Sequence, residues 1–129
     1  MERGFVVIAV GGGGIPIKNN GMGLEAVIDK DFATSLLATQ IKADTLVFIT
    51  SIDAVYLNFG KESQKRIARM TLSEAKKYLA AGHFAVGSMK PKIESSIRFL
   101  EHRGQKVIIT SFDNISASLN GKKGTTIVL

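Results

Sequence analysis

Two lysines lie near the predicted beginning of a helix, where cations are normally disfavoured. Pro91 suits the first helical position, and apolar residues recur at spacings of four and three from Ile93 to Leu100. Lys90 and Lys92 therefore lie at the positive end of the helix dipole. Two interpretations stay open: the lysines extend into solvent, or a lysine and the helix-start N–H groups together bind a phosphate. For Lys92, physical reasoning alone slightly favours an exposed side chain.

Another lysine lies between two carboxylates, just before an earlier predicted helix. Lys30 is flanked by Asp29 and Asp31. Either aspartate can cap the helix through a side-chain oxygen, which is the purely structural interpretation. Alternatively, the carboxylates orient Lys30 toward a phosphate, and one of them meets Mg²⁺ through water, since this ion keeps several water ligands. The residues alone favour neither interpretation.

Four consecutive glycines, Gly11, Gly12, Gly13 and Gly14, follow an apolar run and allow a ligand to approach the backbone closely. They are not followed by the Gly-Lys-Ser/Thr of a Walker A loop, and Pro16 occupies the third glycine position of the dinucleotide-binding pattern. Because ordering four glycines costs considerable entropy, a ligand-facing loop is favoured over a flexible surface loop.

The remaining chemical candidates are weaker. His83 and His102 have no second ligand at metal-binding spacing, so we expect surface or capping roles for both. Tyr56 and Phe59 are typical of core or edge positions, although an aromatic ring near a nucleotide can stack on its base. No Ser-His-Asp arrangement is apparent.

The composition predicts one globular domain spanning residues 1–129, with 45% hydrophobic and 22% charged residues. The net charge of +6 is spread along the chain without a long basic run or a nucleic-acid-binding signature, so we expect no nucleic-acid partner. Cysteine is absent, which excludes disulfides and thiolate metal sites and fits an intracellular setting. No signal peptide is recognisable, and no apolar stretch approaches the roughly 20 residues of a membrane span.

Buried-type strands alternate with helical patterns, which predicts an α/β fold with a largely parallel sheet. Strands are predicted at residues 5–10, 45–50, 105–110 and 125–129, and a short strand with a glycine turn at 55–63. Helices are predicted at 32–43, at 71–82 behind a capping box, at 91–103, and from an Asp113 cap to about 121. Ligands collect at the carboxyl ends of parallel strands, which directs attention to the turns after Val10, Thr50 and Thr110.

Five phrases in this order, "GGGGIPI", "EAVIDKDFA", "NFGK", "AGHFAVGSMKPKIESSIRF" and "GTTIV", resemble the carbamate kinases of the amino acid kinase family. The resemblance runs from about Phe5 to Val128. It implies a three-layer αβα fold and reversible phosphoryl transfer, in which ATP and carbamate give ADP and carbamoyl phosphate with Mg²⁺. It also implies a cytoplasmic homo-oligomer, a homodimer in this family, that serves arginine breakdown.

The resemblance implies roles for individual residues. Lys30 and Lys92 would hold the phosphates, and Asp31, together with Asp29, would orient a lysine or the metal; no residue is assigned as a direct metal ligand. The nucleotide would be surrounded by Gly11, Gly12, Gly13, Gly14, Ser51, Ile52, Tyr56, Phe59, Met89 and Lys92.

The resemblance covers only the C-terminal, nucleotide-binding half of the family. The N-terminal part, with its glycine-asparagine motif and a further lysine, has no counterpart here, and Ser51 replaces the family's usual Asp or Gly. We therefore expect weak binding of ATP or ADP and little or no turnover by this chain, with carbamate chemistry only if the other half is supplied. The alternatives are a stand-alone nucleotide-binding module without catalysis and a basic structural or nucleic-acid-binding protein. A sheet edge left exposed would favour self-association.

Overall fold

A computed structural model describes Val7 and residues 14–129 of the chain. Its helices are α1 (Lys30–Gln40), α2 (Leu72–Ala80), α3 (Met89–Glu101) and α4 (Ile115–Leu119), the last preceded by a 3₁₀ turn at Phe112–Asn114. Its strands are β1 (Thr45–Thr50), β2 (Val55–Leu57), β3 (Lys65–Ile67), β4 (Arg69–Thr71), β5 (Lys106–Ser111) and β6 (Thr125–Val128). The predicted strand at 5–10 lies outside the described residues, apart from Val7. No helix in the described part of the chain is both long and apolar enough to cross a bilayer.

The central sheet has the strand order β1-β5-β6-β4. Strands β1 and β5 pair in parallel, as do β4 and β6, whereas β5 and β6 are antiparallel. The largely parallel α/β fold predicted from the sequence is therefore confirmed. Strands β2 and β3 form a separate antiparallel hairpin, with Tyr56 opposite Arg66. Neither β3 nor β4 was predicted.

Helices cover both faces of this sheet, which gives three layers. Successive residues of a strand point to opposite faces. Val107 and Ile109 of β5 belong to the hydrophobic core together with Ile93 and Phe99 of α3. On the other face, the buried Thr110 hydroxyl lies 2.7 Å from Ser118 Oγ of α4.

One buried threonine connects the β2–β3 hairpin to the central sheet. The Val55 N–H donates to Thr125 Oγ1 at 2.8 Å, and the Thr125 hydroxyl donates to the Ile67 carbonyl. Val55 and Ile67 are opposite each other in the hairpin, so Thr125 of β6 holds both of its strands.

The ends of α2 follow the sequence prediction. Thr71 Oγ1 accepts from the Glu74 N–H, and the Glu74 carboxylate accepts from the Thr71 N–H, which is the predicted capping box. Gly82 follows the helix with φ 72°, the left-handed conformation that glycine adopts without strain.

Two helix starts differ from prediction. Helix α3 begins at Met89, so Pro91 is its third residue rather than its first. Proline is tolerated there because the first N–H groups of a helix lack intrahelical partners in any case. Asp113 does not cap the last helix, because it lies within the 3₁₀ turn that precedes α4.

Helix α1 buries a polar face. Its buried residues are Asp31, Ser35 and Ala38, and it packs mainly on α3. Leu36, by contrast, is 60% exposed and Ile41 is also exposed. Leu36 in the helix and Ile41 at its C-cap therefore expose apolar surface while two polar side chains are buried, which departs from the usual arrangement.

Candidate active site

A buried ion pair joins the two helices that the sequence singled out. Lys92 Nζ of α3 donates to Asp31 Oδ2 of α1 at 2.8 Å, and the two side chains are only 9% and 7% exposed. Lys30 Nζ lies 3.8 Å from the same oxygen and is 69% exposed. The structure therefore brings Lys30 and Lys92 together on one carboxylate oxygen.

The start of α1 explains how Asp31 is presented. Asp29 is the N-cap, and its Oδ1 accepts from the Asp31 N–H at 2.7 Å and the Phe32 N–H at 3.3 Å. Of the two candidate caps, the structure selects Asp29. Asp31 is thereby free to turn inward toward α3 while remaining in the first helical turn, where the dipole favours an anion.

The two lysines at the start of α3 have different environments. Lys90 extends outward, with its Nζ 4.0 Å from Glu94. Lys92 is buried, and its ammonium group lies 5.9 Å from the centre of the Phe48 ring. The slight preference for an exposed Lys92 was therefore wrong, since a buried carboxylate compensates the charge.

A cleft with a volume of about 160 Å³ opens where β1 ends and α3 begins. It is lined by Thr50, Ser51, Ile52, Tyr56, Phe59, His83, Phe84, Ala85, Ser88 and Met89. Five of these residues, Ser51, Ile52, Tyr56, Phe59 and Met89, are among the nucleotide-binding residues predicted from the sequence, and the structure brings them together.

The cleft and the ion pair share two elements. Met89 lines the cleft, and Lys92 follows three residues later, on the same side of α3. Thr50 lines the cleft, and Phe48, beside the Lys92 ammonium group, precedes it by two residues on the same face of β1. The backbone of Lys92 therefore lies about one helical turn from Met89 of the cleft.

The start of α3 suits an anion. Gly87, with φ 82°, precedes the helix in a conformation that a side chain would strain. The Ser88 side chain makes no capping hydrogen bond to any residue that the structure describes. Ser88 and Met89 line the cleft, so the positive end of the helix dipole borders it.

One side of the cleft is aromatic. The rings of Tyr56 and Phe59 are 5.7 Å apart and inclined at 59°. Tyr56 is half-buried and its hydroxyl donates to Asp53 Oδ1 at 2.8 Å, whereas Phe59 is 54% exposed. Both rings thus belong to the cleft rather than to the core.

Sequence reasoning missed half of the cleft, including His83. The His83 Nδ1 lies 2.8 Å from Asn58 Oδ1, and the ring packs edge-on against Tyr78. This contact joins the loop that carries Phe59 to the loop that precedes α3. The only signal for it in the sequence was that both residues lie within the family-like phrases "NFGK" and "GHF", which are about 20 residues apart. His102 is exposed beside the Arg98 carbonyl, as expected of a surface residue.

Of the described residues, neither Gly14 nor any residue after Thr110 is among those that line the cleft. Gly11, Gly12 and Gly13 lie outside the described residues. Gly14 is not among the described residues that line the cleft; a Cβ placed on it would come within 2.6 Å of Ile28 Cδ1. The turn after Thr110 is occupied by the contact between Thr110 and Ser118.

Within the described residues, no group of three or more His, Cys, Asp or Glu side chains could hold a metal. Asp29 is engaged as a helix cap, and Asp31 accepts from Lys92. The carboxylates near the lysines therefore do not form a metal cage made of protein alone.

Comparison with known proteins finds relatives that match nearly the whole chain. A carbamate kinase of Thermoplasma volcanium is 51% identical over 99% of this chain and 43% of that protein. A carbamate kinase of Thermococcus kodakarensis is 45% identical over 99% of this chain and 42% of that protein. The chain thus spans less than half the length of these curated relatives.

Solved structures of carbamate kinases also resemble this chain. A carbamate kinase from Giardia lamblia bound to AMP-PNP matches 83% of this chain and 38% of that chain, with a TM-score of 0.79 and 41% identity. An N-acetylglutamate synthase from Neisseria gonorrhoeae, at 20% identity and a TM-score of 0.66, shares the fold. The sequence model of the amino acid kinase family matches residues 1–111. The chain therefore belongs to the amino acid kinase family.

Proposed function

We propose that this chain is the ATP/ADP-binding half of a carbamate kinase-like phosphotransferase, which interconverts ATP plus carbamate with ADP plus carbamoyl phosphate. The observation that carries the proposal is the meeting of Lys30 and Lys92 at Asp31 Oδ2, next to a cleft with an aromatic side. Phosphoryl transfer asks a protein mainly to position groups and neutralise charge, and two converging lysines supply that neutralisation.

The two lysines divide the work of phosphate binding. Lys92 is held in place by its buried partner, so it provides a fixed positive charge near the start of α3. Lys30 is exposed and accessible to an incoming phosphate. At the start of α3, the Ser88 and Lys90 N–H groups donate to the Ala85 carbonyl, so the Met89 N–H is the backbone donor that would reach the same oxygens.

The nucleotide base belongs in the cleft. Ligand sites commonly measure about 300–1,000 Å³, so a cleft of about 160 Å³ holds only part of a nucleotide. The base would lie against Tyr56 and Phe59, and the phosphates would extend along α3 toward Lys92.

Magnesium fits this site as an ion that arrives with the nucleotide. Mg²⁺ typically binds one or two carboxylates plus substrate phosphates and keeps several waters. Asp29 and Asp31 are the carboxylates beside the lysines and would meet the ion through water. When bound, the ion would neutralise charge on the transferring phosphoryl group.

The whole protein's activity needs more than this chain. Because the curated relatives are more than twice as long, we assign the carbamate or carbamoyl phosphate site to the rest of a longer protein. For the whole protein we propose a cytoplasmic homo-oligomer acting in arginine breakdown. The alternative, favoured by the same difference in length, is a stand-alone module that binds ATP or ADP without catalysis.

Calorimetric titration with Mg-ADP tests the proposal. Lys30→Ala is the informative variant, because Lys30 is exposed and its removal leaves the buried pair intact. Lys77→Ala on α2 removes the same charge from an exposed position and is the matched control. We expect Lys30→Ala to weaken ADP binding about tenfold, as for a charge-assisted hydrogen bond, and Lys77→Ala to leave it unchanged. Equal affinities in all three proteins would overturn the lysine assignment.

An assay for ATP formation from ADP and carbamoyl phosphate separates the two functions. We expect little or no turnover by this chain alone, and turnover when the N-terminal half of a relative is added. Nucleotide binding without turnover in that mixture would favour the stand-alone module.

A further inference from the structure

A chain of polar contacts leads away from the aromatic side of the cleft. The Tyr56 hydroxyl donates to Asp53 Oδ1 at 2.8 Å, and Asp53 Oδ2 lies 3.5 Å from Arg66 Nε. Arg66 also donates from Nη2 to the Gly124 carbonyl at 3.2 Å. Tyr56 is thereby connected through two side chains to the backbone ahead of β6.

Of these contacts, the hydrogen bond between Tyr56 and Asp53 is stronger than the ion pair between Asp53 and Arg66. Asp53 and Arg66 are 45% and 38% exposed, and partly exposed ion pairs contribute little to stability. The bond to the Tyr56 hydroxyl, ahead of the Arg66 contacts, holds the pKa of Asp53 below its ordinary value of 3.8. The same bond raises the pKa of Tyr56 above 10.0. Asp53 is therefore an ionised acceptor at neutral pH, and Tyr56 is a donor.

Tyr56 is the member of this hydrogen-bonded pair that borders the cleft. Of the described residues that line the cleft, Tyr56 is one and Asp53 is not. Arg66, which faces Tyr56 across the hairpin, restrains Asp53 from the other side.

We infer that Asp53 is a positioning residue that fixes the Tyr56 ring against the nucleotide base. The inference rests on the proposed nucleotide site and adds a determinant of affinity for the base rather than for the phosphates. Loss of Asp53 leaves the tyrosine free to rotate away, so a bound base loses one of its two aromatic neighbours.

Binding of Mg-ADP and of magnesium triphosphate, which has no base, tests the inference. We expect Asp53→Ala to weaken ADP binding about fivefold, the effect of one ordinary hydrogen bond, without changing triphosphate affinity. Asp53→Asn should retain most of the ADP affinity, because its amide oxygen still accepts from the hydroxyl. Glu62→Ala removes a negative charge from the neighbouring loop and should change neither affinity.

A spectroscopic titration checks the contact itself. The sequence contains two tyrosines, so a Tyr78→Phe background leaves Tyr56 as the reporter of phenolate absorbance. Removing Asp53 in this background should lower the pKa of Tyr56 toward 10.0. An unchanged titration overturns the inference.

The remaining outcomes are distinct. If the unmodified chain binds neither ADP nor triphosphate, the proposed function fails and the inference fails with it. If that chain binds ADP and Asp53→Ala binds it equally well, only the inference fails. Equal weakening of ADP and triphosphate by Asp53→Ala also overturns it, because the effect would then be one of charge or folding.

Discussion

Lys92 and Asp31, 61 positions apart in the sequence, form a buried ion pair that connects α3 to α1. Removing two charges from water costs several kcal/mol, so such a pair often contributes no net stability. Two apolar side chains at these positions would hold the two helices together equally well. The ion pair alone is neutral, but with Lys30 at the same carboxylate oxygen the three side chains carry one net positive charge, which suits an anionic ligand.

A double-mutant cycle should separate these contributions. Lys92→Met leaves Asp31 buried with its main partner removed, and we expect a loss of about 3–5 kcal/mol in the free energy of unfolding. Adding Asp31→Leu should recover most of that loss, since no buried charge then remains. Urea unfolding at neutral pH measures both effects, and Lys90→Met, at the exposed neighbour, should cost little. Additive losses in the double variant would contradict the prediction.

Removal of the exposed ring of Phe59 should affect ligand binding but not folding. We expect Phe59→Ala to weaken Mg-ADP binding by about 1–3 kcal/mol, the usual range for a base stacked on an aromatic side chain. The unfolding midpoint should stay nearly constant because the ring is 54% exposed. Phe112→Ala is the control, since Phe112 is 75% exposed and is not among the described residues lining the cleft. Equal ADP affinity in both variants would place the base elsewhere.

The capping box at α2 predicts the direction of an acid effect on stability. The hydrogen bond from the Thr71 backbone N–H, followed by that from its side chain, holds the pKa of Glu74 below its ordinary value of 4.5. The carboxylate therefore contributes its full stabilisation above the unfolded pKa, and this is lost as the pH falls through the folded value.

Glu74→Gln should be less stable than the unmodified chain at pH 7, and the difference should shrink as the pH falls below about 4.5. Urea midpoints across this range measure it. A difference that does not change with pH would show that Glu74 gains nothing from its charge. Glu62→Gln serves as the control, since Glu62 is exposed and lies outside the capping box.

Exposed apolar surface on α1 predicts association. Leu36 lines an apolar groove of about 490 Å³ together with Ile28, Phe32 and Arg98, whose guanidinium group lies 4.6 Å from the Phe32 ring. We expect the chain to self-associate through this face and Leu36→Glu to shift it toward monomer in light scattering. Gln40→Glu adds the same charge at an exposed position of the same helix and should leave the self-association unchanged. A monomer at high concentration for the unmodified chain would contradict the expectation.

Local features of the fold could be predicted because they depend on neighbouring residues. The apolar runs of β1 and β5 and the Thr71–Glu74 box specify strands and a helix start directly. Strands β3 and β4 have three residues each and several charges, so they lack the pattern of a buried strand. The antiparallel pairing of β5 and β6 depends on how the whole sheet assembles.

The candidate site was predictable in its residue types but not in its environment. A lysine is rarely buried unless it is paired, and the partner of Lys92 is too distant in the sequence for spacing to reveal it. His83 was missed for the same reason, because its contact with Asn58 exists only after two loops meet.

The two hydrogen bonds between Thr125 and the β2–β3 hairpin have a consequence for the chain during its translation. Val55 and Thr125 are 70 positions apart, so the hairpin that presents Tyr56 gains this anchor only after β6 has left the ribosome. During translation the earlier strands emerge while this side of the cleft still lacks that support. The aromatic side of the cleft therefore lacks this hydrogen-bonded anchor in any nascent chain that has not yet reached residue 125.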